Sequence, residues 1–276
     1  MTERTVAATR RQATTRLDAG ADATRTSPAN NNMPTAKKTT RKAPARTRTD
    51  GGTWQAEKSL LTQTQILEAT MQCLIEIGYA QTTTDKIAQK ARVSRGAMTH
   101  HFKSRAAVFA AAAKYITELR AQEYDDAIGK VKALSGGVPV LENMRDTIVL
   151  LQKYYARPSF IALHELMRGA RTDKALNEVM VPLEEALDSK ISATILNRFP
   201  IWAEVPHVSE VLRDLIFSTL QGIAIDPVGL VKGARLQRLI DLLSEVSQAE
   251  FERAYHGARS GARAARPQRI AKRSEA

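Results

Sequence analysis

The residues best placed for chemistry fall between Ser94 and Arg105: Arg95, Gly96, Thr99 and His100, followed by Lys103 and Arg105. What they share is a polar, cationic or small character, which suits contact with a polyanion. Arg95 adds a planar fork able to take O6 and N7 of one guanine together. Such a set works only along one edge of a short, rigid helix. The intervening residues supply that rigidity, because Ile87, Ala88, Ala91, Val93, Met98 and Phe102 can face inward and lock two short helices against a third. Ala88 and Ala91 permit close helix approach, and Val93 plugs the turn. The buried side then sets the angle of the helix, while its N-terminal outward residues reach base edges in a major groove.

The elements around this segment read as helix after helix from Leu60 onward, with no strand alternation, so the fold class is all-α. A first helix is predicted over 59–77, where Ile66, Ala69, Cys73 and Ile77 recur at helical spacing before Gly78 ends it. Thr83 and Thr84 cap a second that ends near Ala91. Ser94 caps a third over Arg95 to His101, and Ser104 a fourth that runs to about Ala133. Ser135, Gly136 and Gly137 break the chain, and Pro139 suits the first turn of a helix ending before Arg157 and Pro158. Further helices are predicted at about 159–169, 172–199, 206–223 and 233–256, with Pro182 expected to kink or interrupt the one that contains it.

The last two helices are apolar on more than one face: Val208, Val211, Leu212, Leu215, Ile216 and Leu220 in one, Leu236, Leu239, Ile240, Leu242, Leu243 and Val246 in the other. A helix apolar on two faces needs two partners. One can be its own core and the other a second subunit, giving a symmetric dimer through a four-helix contact. The alternative is that both helices sit centrally in one large core.

Charge is distributed unevenly. The formal net charge is +12, yet residues 1–50 carry 11 Lys or Arg against 4 acids and residues 257–276 carry 6 against 1, which leaves residues 51–256 balanced at 24 of each. Both ends are poor in large apolar residues and cannot offset their ordering entropy by burial, so two flexible cationic arms are expected. Beside a duplex, such arms raise affinity by releasing counterions, with a log-log salt slope of roughly 0.9 per phosphate neutralised. An idle solvated tail is the other reading. Met33 lies within the arm and leaves an internal start open. No uninterrupted apolar run reaches the roughly 18 residues of a membrane helix, and the first residues lack the apolar segment of a secretory signal, so no membrane association and a cytoplasmic, nucleoid-associated location are expected. The single cysteine, Cys73, has no internal disulfide partner and reads as a small core residue.

Across roughly residues 60–110 the sequence resembles the TetR family of bacterial transcriptional regulators. The resemblance lies in Ile66-Leu67 with Ala69, Gly78-Tyr79, Thr83-Thr84, Ile87-Ala88, Val93-Ser94, Gly96, and His101-Phe102 followed by Ser104-Arg105. Three positions depart from the family pattern: Arg92 stands where Gly is usual in the turn, Met98 replaces Leu or Ile, and Thr99 replaces Tyr. Arg92 is expected to strain the turn, since a positive φ is costly for a residue with a Cβ. The resemblance implies phosphate contacts from Thr84, His100, Lys103 and Arg105, with Arg95, Gly96 and Thr99 facing bases. It also implies an organisation of a basic arm over 1–56, a three-helix helix-turn-helix domain over 57–105, a helical effector-binding and dimerisation domain over 106–256, and a basic tail over 257–276. The partners so implied are double-stranded DNA with a palindromic operator, a small-molecule effector that releases it, and a second copy of the chain through the last two helices. Repression is the implied sign.

Other chemistries find less in the sequence. His164-Glu165 begins like a zinc-protease helix, but Arg168 stands where the second His belongs, so no ligand pair forms. No Gly-rich phosphate loop follows a strand, no cofactor is implied, and an enzyme is not expected. A metal-responsive regulator of the same fold, drawing on His164, Glu165 and His207, is the alternative to an organic effector. The stretch from Phe160 to Arg171, with His164, Glu165, Arg168 and Arg171 among apolar residues, fits a pocket wall and equally an ordinary amphipathic helix.

Overall fold

Local signals place most helix ends in the computed structural model, which describes residues 50–131 and 141–264. The elements are α1 (Asp50–Gln81), α2 (Thr84–Ala91), α3 (Arg95–His101), α4 (Arg105–Gly129), α5 (Leu141–Tyr155), α6 (Pro158–Ala170), α7 (Lys174–Arg198), α8 (Pro206–Ala224) and α9 (Gly233–Ala264), with a short 3-10 helix at Pro200–Glu204 before α8. Among the described residues there is no strand. Three caps act as the sequence indicates. Thr83 Oγ1 accepts from the Lys86 amide, Ser94 Oγ from the Ala97 amide and Ser104 Oγ from the Ala107 amide, each satisfying an orphan donor of a first turn.

Gly78 breaks α1 with φ 73°, so the last residues of that element leave at a new angle. Arg92 takes the left-handed conformation at φ 54°, ψ 37°, and its amide donates to the carbonyls of Ala88 and Gln89, closing α2. A residue with a Cβ therefore occupies the position where glycine is cheapest.

Two helices run longer than the sequence pattern suggests. α1 begins at Asp50 rather than near Ser59, and α9 continues to Ala264 rather than ending near His256. Propagation explains both, because a helix nucleated by its buried turns extends for about one hydrogen bond per added residue until a breaker intervenes. The basic arm and tail otherwise lie outside the described residues, as do Ser135 to Pro139. Pro182 also departs from expectation, since α7 continues through it. Pro182 and Glu178 are exposed, so the carbonyl that loses its partner faces water instead of the core.

Two main cores share one wall. Ile66, Ala69 and Cys73 of α1 pack with Ile87, Ala88, Met98 and Phe102, and with Val108 and Ala112 of α4. The next positions around α4, Phe109, Ala113 and Ile116, join a larger core with α5, α6, α7 and α8. Helix α4 thus belongs to both bodies. Ile87 is fully buried, worth about 1.5–3 kcal/mol for a side chain of its size, and this holds α2 in place more firmly than its eight residues could alone. Cys73 is buried as expected, and its burial pushes the thiol up from its ordinary value.

Candidate nucleic-acid interface

The helix α3 has seven residues, too few to be stable unaided, so its position comes from Met98 and Phe102 beneath it and from the Ser94 cap at its start. With that side buried, Arg95, Gly96, Thr99 and His100 lie on the exposed edge, and Lys103 follows in the same exposed strip. The Arg95 side chain is 86% exposed and its Nε stands 3.7 Å from Asp85 of α2. A pair this open contributes little, so Arg95 can exchange it for an outside partner at small cost. Thr99 Oγ1 donates to the Arg95 carbonyl at 3.0 Å, which ties its hydroxyl back onto the helix. Thr84 is half-buried at the first turn of α2. His100 and His101 meet edge to face at 5.3 Å, and burial, with the neighbouring His100, holds His101 below the ordinary imidazole value. The outward edge carries the Arg95 and Lys103 side chains.

Arg105 does not join them. Its guanidinium turns inward, where Nε donates to the Thr82 carbonyl at 3.1 Å, Nη2 to the Tyr79 carbonyl at 2.8 Å and Nη1 to the Tyr79 hydroxyl at 3.2 Å. It also lies 4.4 Å from the ring centroids of both Tyr79 and Phe109. These contacts engage three of the five N–H donors of the fork, so the phosphate contact expected of Arg105 falls to the other two. Arg105 holds the end of α1 against the start of α4.

That junction continues into the larger body. The Tyr79 hydroxyl donates to Asp173 Oδ2 at 2.6 Å, and the Tyr79 amide donates to Glu165 Oε2 at 3.4 Å. Burial and the Asp173 carboxylate push the Tyr79 phenol up, and the Tyr79 hydroxyl with the Leu176 amide holds the Asp173 carboxyl below its usual range. Gly169 of α6 completes the fit, since a Cβ there would stand 2.5 Å from Cδ1 of the Tyr79 ring. Glu165, Gly169 and Asp173 thus connect α6 and the start of α7 to the helix beside the exposed edge. Sequence reasoning marked Glu165 only as a pocket or metal candidate and passed over Tyr79 as a contact. Among the described residues, no three His, Cys, Asp or Glu side chains gather as a metal site.

The comparisons with known proteins agree with this geometry. Residues 66–112, which carry α2, α3 and the core beneath them, match the family described as bacterial regulatory proteins, tetR family. Over that segment the chain is similar to the TetR family. An uncharacterized HTH-type transcriptional regulator of Mycobacterium tuberculosis is 27% identical over 126 residues, covering 46% of this chain and 62% of the relative. The HTH-type transcriptional regulator CymR of Pseudomonas putida is 24% identical over 207 residues, covering 71% of this chain and 94% of CymR. A solved structure described as a transcriptional regulator of Streptomyces coelicolor A3(2) aligns with a TM-score of 0.51 at 20% identity, over 69% of this chain and 98% of that one, and shows the shared fold. The helix-turn-helix segment is thus shared with bacterial regulatory proteins, and the relatives named here are described as transcriptional regulators. No described helix is long and apolar enough to cross a membrane.

Proposed function

We propose that the chain is a ligand-responsive repressor that binds a palindromic operator as a homodimer and is released from it by a small organic molecule, acting in the cytoplasm on the nucleoid. The observation that carries this reading is the edge of α3: Arg95, Gly96 and Thr99 exposed in a row over buried Met98 and Phe102. In this reading those three residues face bases, and Thr84, His100 and Lys103 contact phosphates. Arg105 serves by holding the domain in place. The helix-turn-helix domain spans 57–105, and the remaining helices to 256 form the effector and dimerisation domain.

Dimerisation through α8 and α9 is supported by apolar side chains left facing outward. Val211 and Leu215 on α8 and Leu242 and Val246 on α9 are exposed, each pair four residues apart and so on one face. A twofold contact there would set two copies of α3 against successive major grooves, roughly 34–36 Å apart. The junction of Tyr79 with Glu165, Gly169 and Asp173 supports a ligand response, because a shift of α6 or α7 has a direct route to α1. A ligand acts through it to the extent that it binds the two arrangements unequally.

Selection of bound fragments from a random duplex library with the purified full chain tests the reading. The expected outcome is an inverted repeat whose half-sites are about one helical turn apart, bound by two chains. Recovery of fragments with no shared sequence would defeat it.

A further inference from the structure

We infer that the cavity enclosed by α4, α5, α6, α7 and α8 is a binding site for a compact aromatic monocarboxylate, anchored by Arg120. The inference deepens the proposed function and rests on the reading that a small molecule acts through the helical body. The cavity measures about 110 Å³, and the rings of Tyr154, Tyr155, Phe160 and Phe217 form much of its wall. A dry cavity of ~150 Å³ accepts one benzene, so this somewhat smaller space admits one ring at most. Tyr155 meets Phe160 and Phe217 edge to face at 5.1 and 5.7 Å, which leaves aromatic faces and edges to receive a planar ligand.

The charge at the base of the cavity decides the class. Arg120 is 1% exposed and cannot give up its proton under ordinary conditions. Its Nη1 donates to Glu123 Oε2 at 3.2 Å and to the Tyr154 carbonyl at 2.9 Å, and its guanidinium carbon lies 3.5 Å from the Tyr154 ring centroid. Its Nε has no hydrogen-bond partner among the described residues. Glu123 is not a counterion for Arg120 alone, because the same carboxylate takes Arg157 at 3.3 Å and the Ser159 hydroxyl at 2.5 Å. A buried cation is thus left with a shared acid and an unfilled donor, an arrangement that costs free energy until something completes it.

The opposite wall favours the same answer. Glu184 has a buried Oε1 without a partner, and burial pushes its carboxyl above the ordinary range. The cavity's other acid, Asp188, already pairs with Arg213 at 3.3 Å. When protonated, Glu184 can donate a hydrogen bond to an acceptor that enters beside it. A cationic ligand would lie beside Arg120 and be repelled. A neutral ring would fill the space and leave the Arg120 donor unpaired. A ring carrying one carboxylate fills the space, supplies an acceptor to Arg120 and accepts from neutral Glu184.

Calorimetric titration of the full chain, without DNA, with benzoate, benzamide and benzylamine separates these classes at nearly constant shape. Benzoate is expected to bind at least about tenfold more tightly than benzamide, and benzylamine most weakly. Arg120→Lys keeps the charge and loses the fork, and is expected to lower benzoate affinity more than benzamide affinity. Should that variant not fold, the order among the three ligands on the wild-type chain decides the matter. Equal or tighter binding of benzamide or benzylamine, or no binding of any of the three, overturns the inference. Operator binding measured in the same preparation keeps the two readings apart: benzoate bound without release of DNA retains the site and defeats the ligand-responsive reading, and DNA bound by a chain that ignores benzoate does the reverse.

Discussion

Two arginines in this molecule carry the same charge under opposite conditions. Arg95 stands on the open edge of α3 with one loose neighbour, Asp85 at 3.7 Å, whereas Arg120 is sealed between α4 and α5 with Glu123, a carbonyl and a tyrosine ring. Exposure makes the first inexpensive to redirect, so it can serve an outside partner without disturbing the fold. Burial makes the second costly to leave incomplete, so it belongs at once to the stability of the helical body and to whatever enters beside it. Arg105 lies between these cases. It is near the exposed edge in sequence, yet its hydrogen bonds to Thr82 and Tyr79 place it with the framework. Residue type alone therefore does not sort arginines into ligand contacts and supports; the partners of the fork do.

The contrast can be broken by substitution. Removing the buried charge is expected to have the largest effect, with Arg120→Leu lowering unfolding free energy by about 3 kcal/mol or more because Glu123 is left buried with fewer donors. Denaturant melts measure this loss, and the preferred DNA sequence should be unchanged; a loss below about 0.5 kcal/mol would erase the distinction drawn here. Arg95→Ala should act the other way. It is expected to cost about 1–3 kcal/mol in DNA affinity and relax preference at one base position, while the melting curve stays within about 0.5 kcal/mol of wild type. An unchanged binding profile across a site library would remove Arg95 from base contact.

Gly169→Ala tests the junction that joins the two regions. The added Cβ meets the Tyr79 ring, and a stability loss of about 1–3 kcal/mol is expected from overpacking, read in the same melts. The smallest effect concerns Glu184. Its folded-state carboxyl titrates above the ordinary value, so ionising it opposes folding, and the cost is absent at pH below the ordinary glutamate range and accumulates as pH rises through it toward the folded value. Glu184→Gln should accordingly raise the melting temperature at neutral pH and lose that advantage in acid. A gain that persisted unchanged at low pH would assign the effect to packing.

Much of the DNA-facing half was legible because its signals are local. Thr83, Ser94 and Ser104 cap within three residues of themselves, and Ile87, Ala88, Met98 and Phe102 reveal the buried side through helical spacing. Arg105 marks the limit of such signals, since its contacts reach Thr82 and Tyr79, 23 and 26 residues away. Pro182 misled because a proline is ruinous or tolerable according to whether the carbonyl it frees reaches water, and that depends on which face the neighbouring helices cover.

Sequence by itself determined the helical class, the positions of most helix ends and the inward and outward sides of α2 and α3, all of which follow from residues within one or two turns of each other. Only the tertiary structure decided that Tyr79 would meet Glu165 and Asp173, 86 and 94 residues away, and that Arg120, four rings and Glu184 would close on one cavity. Helical periodicity states which face a residue occupies, but not the distance or angle at which another helix crosses that face. Those two quantities come from packing the whole set of side chains at once.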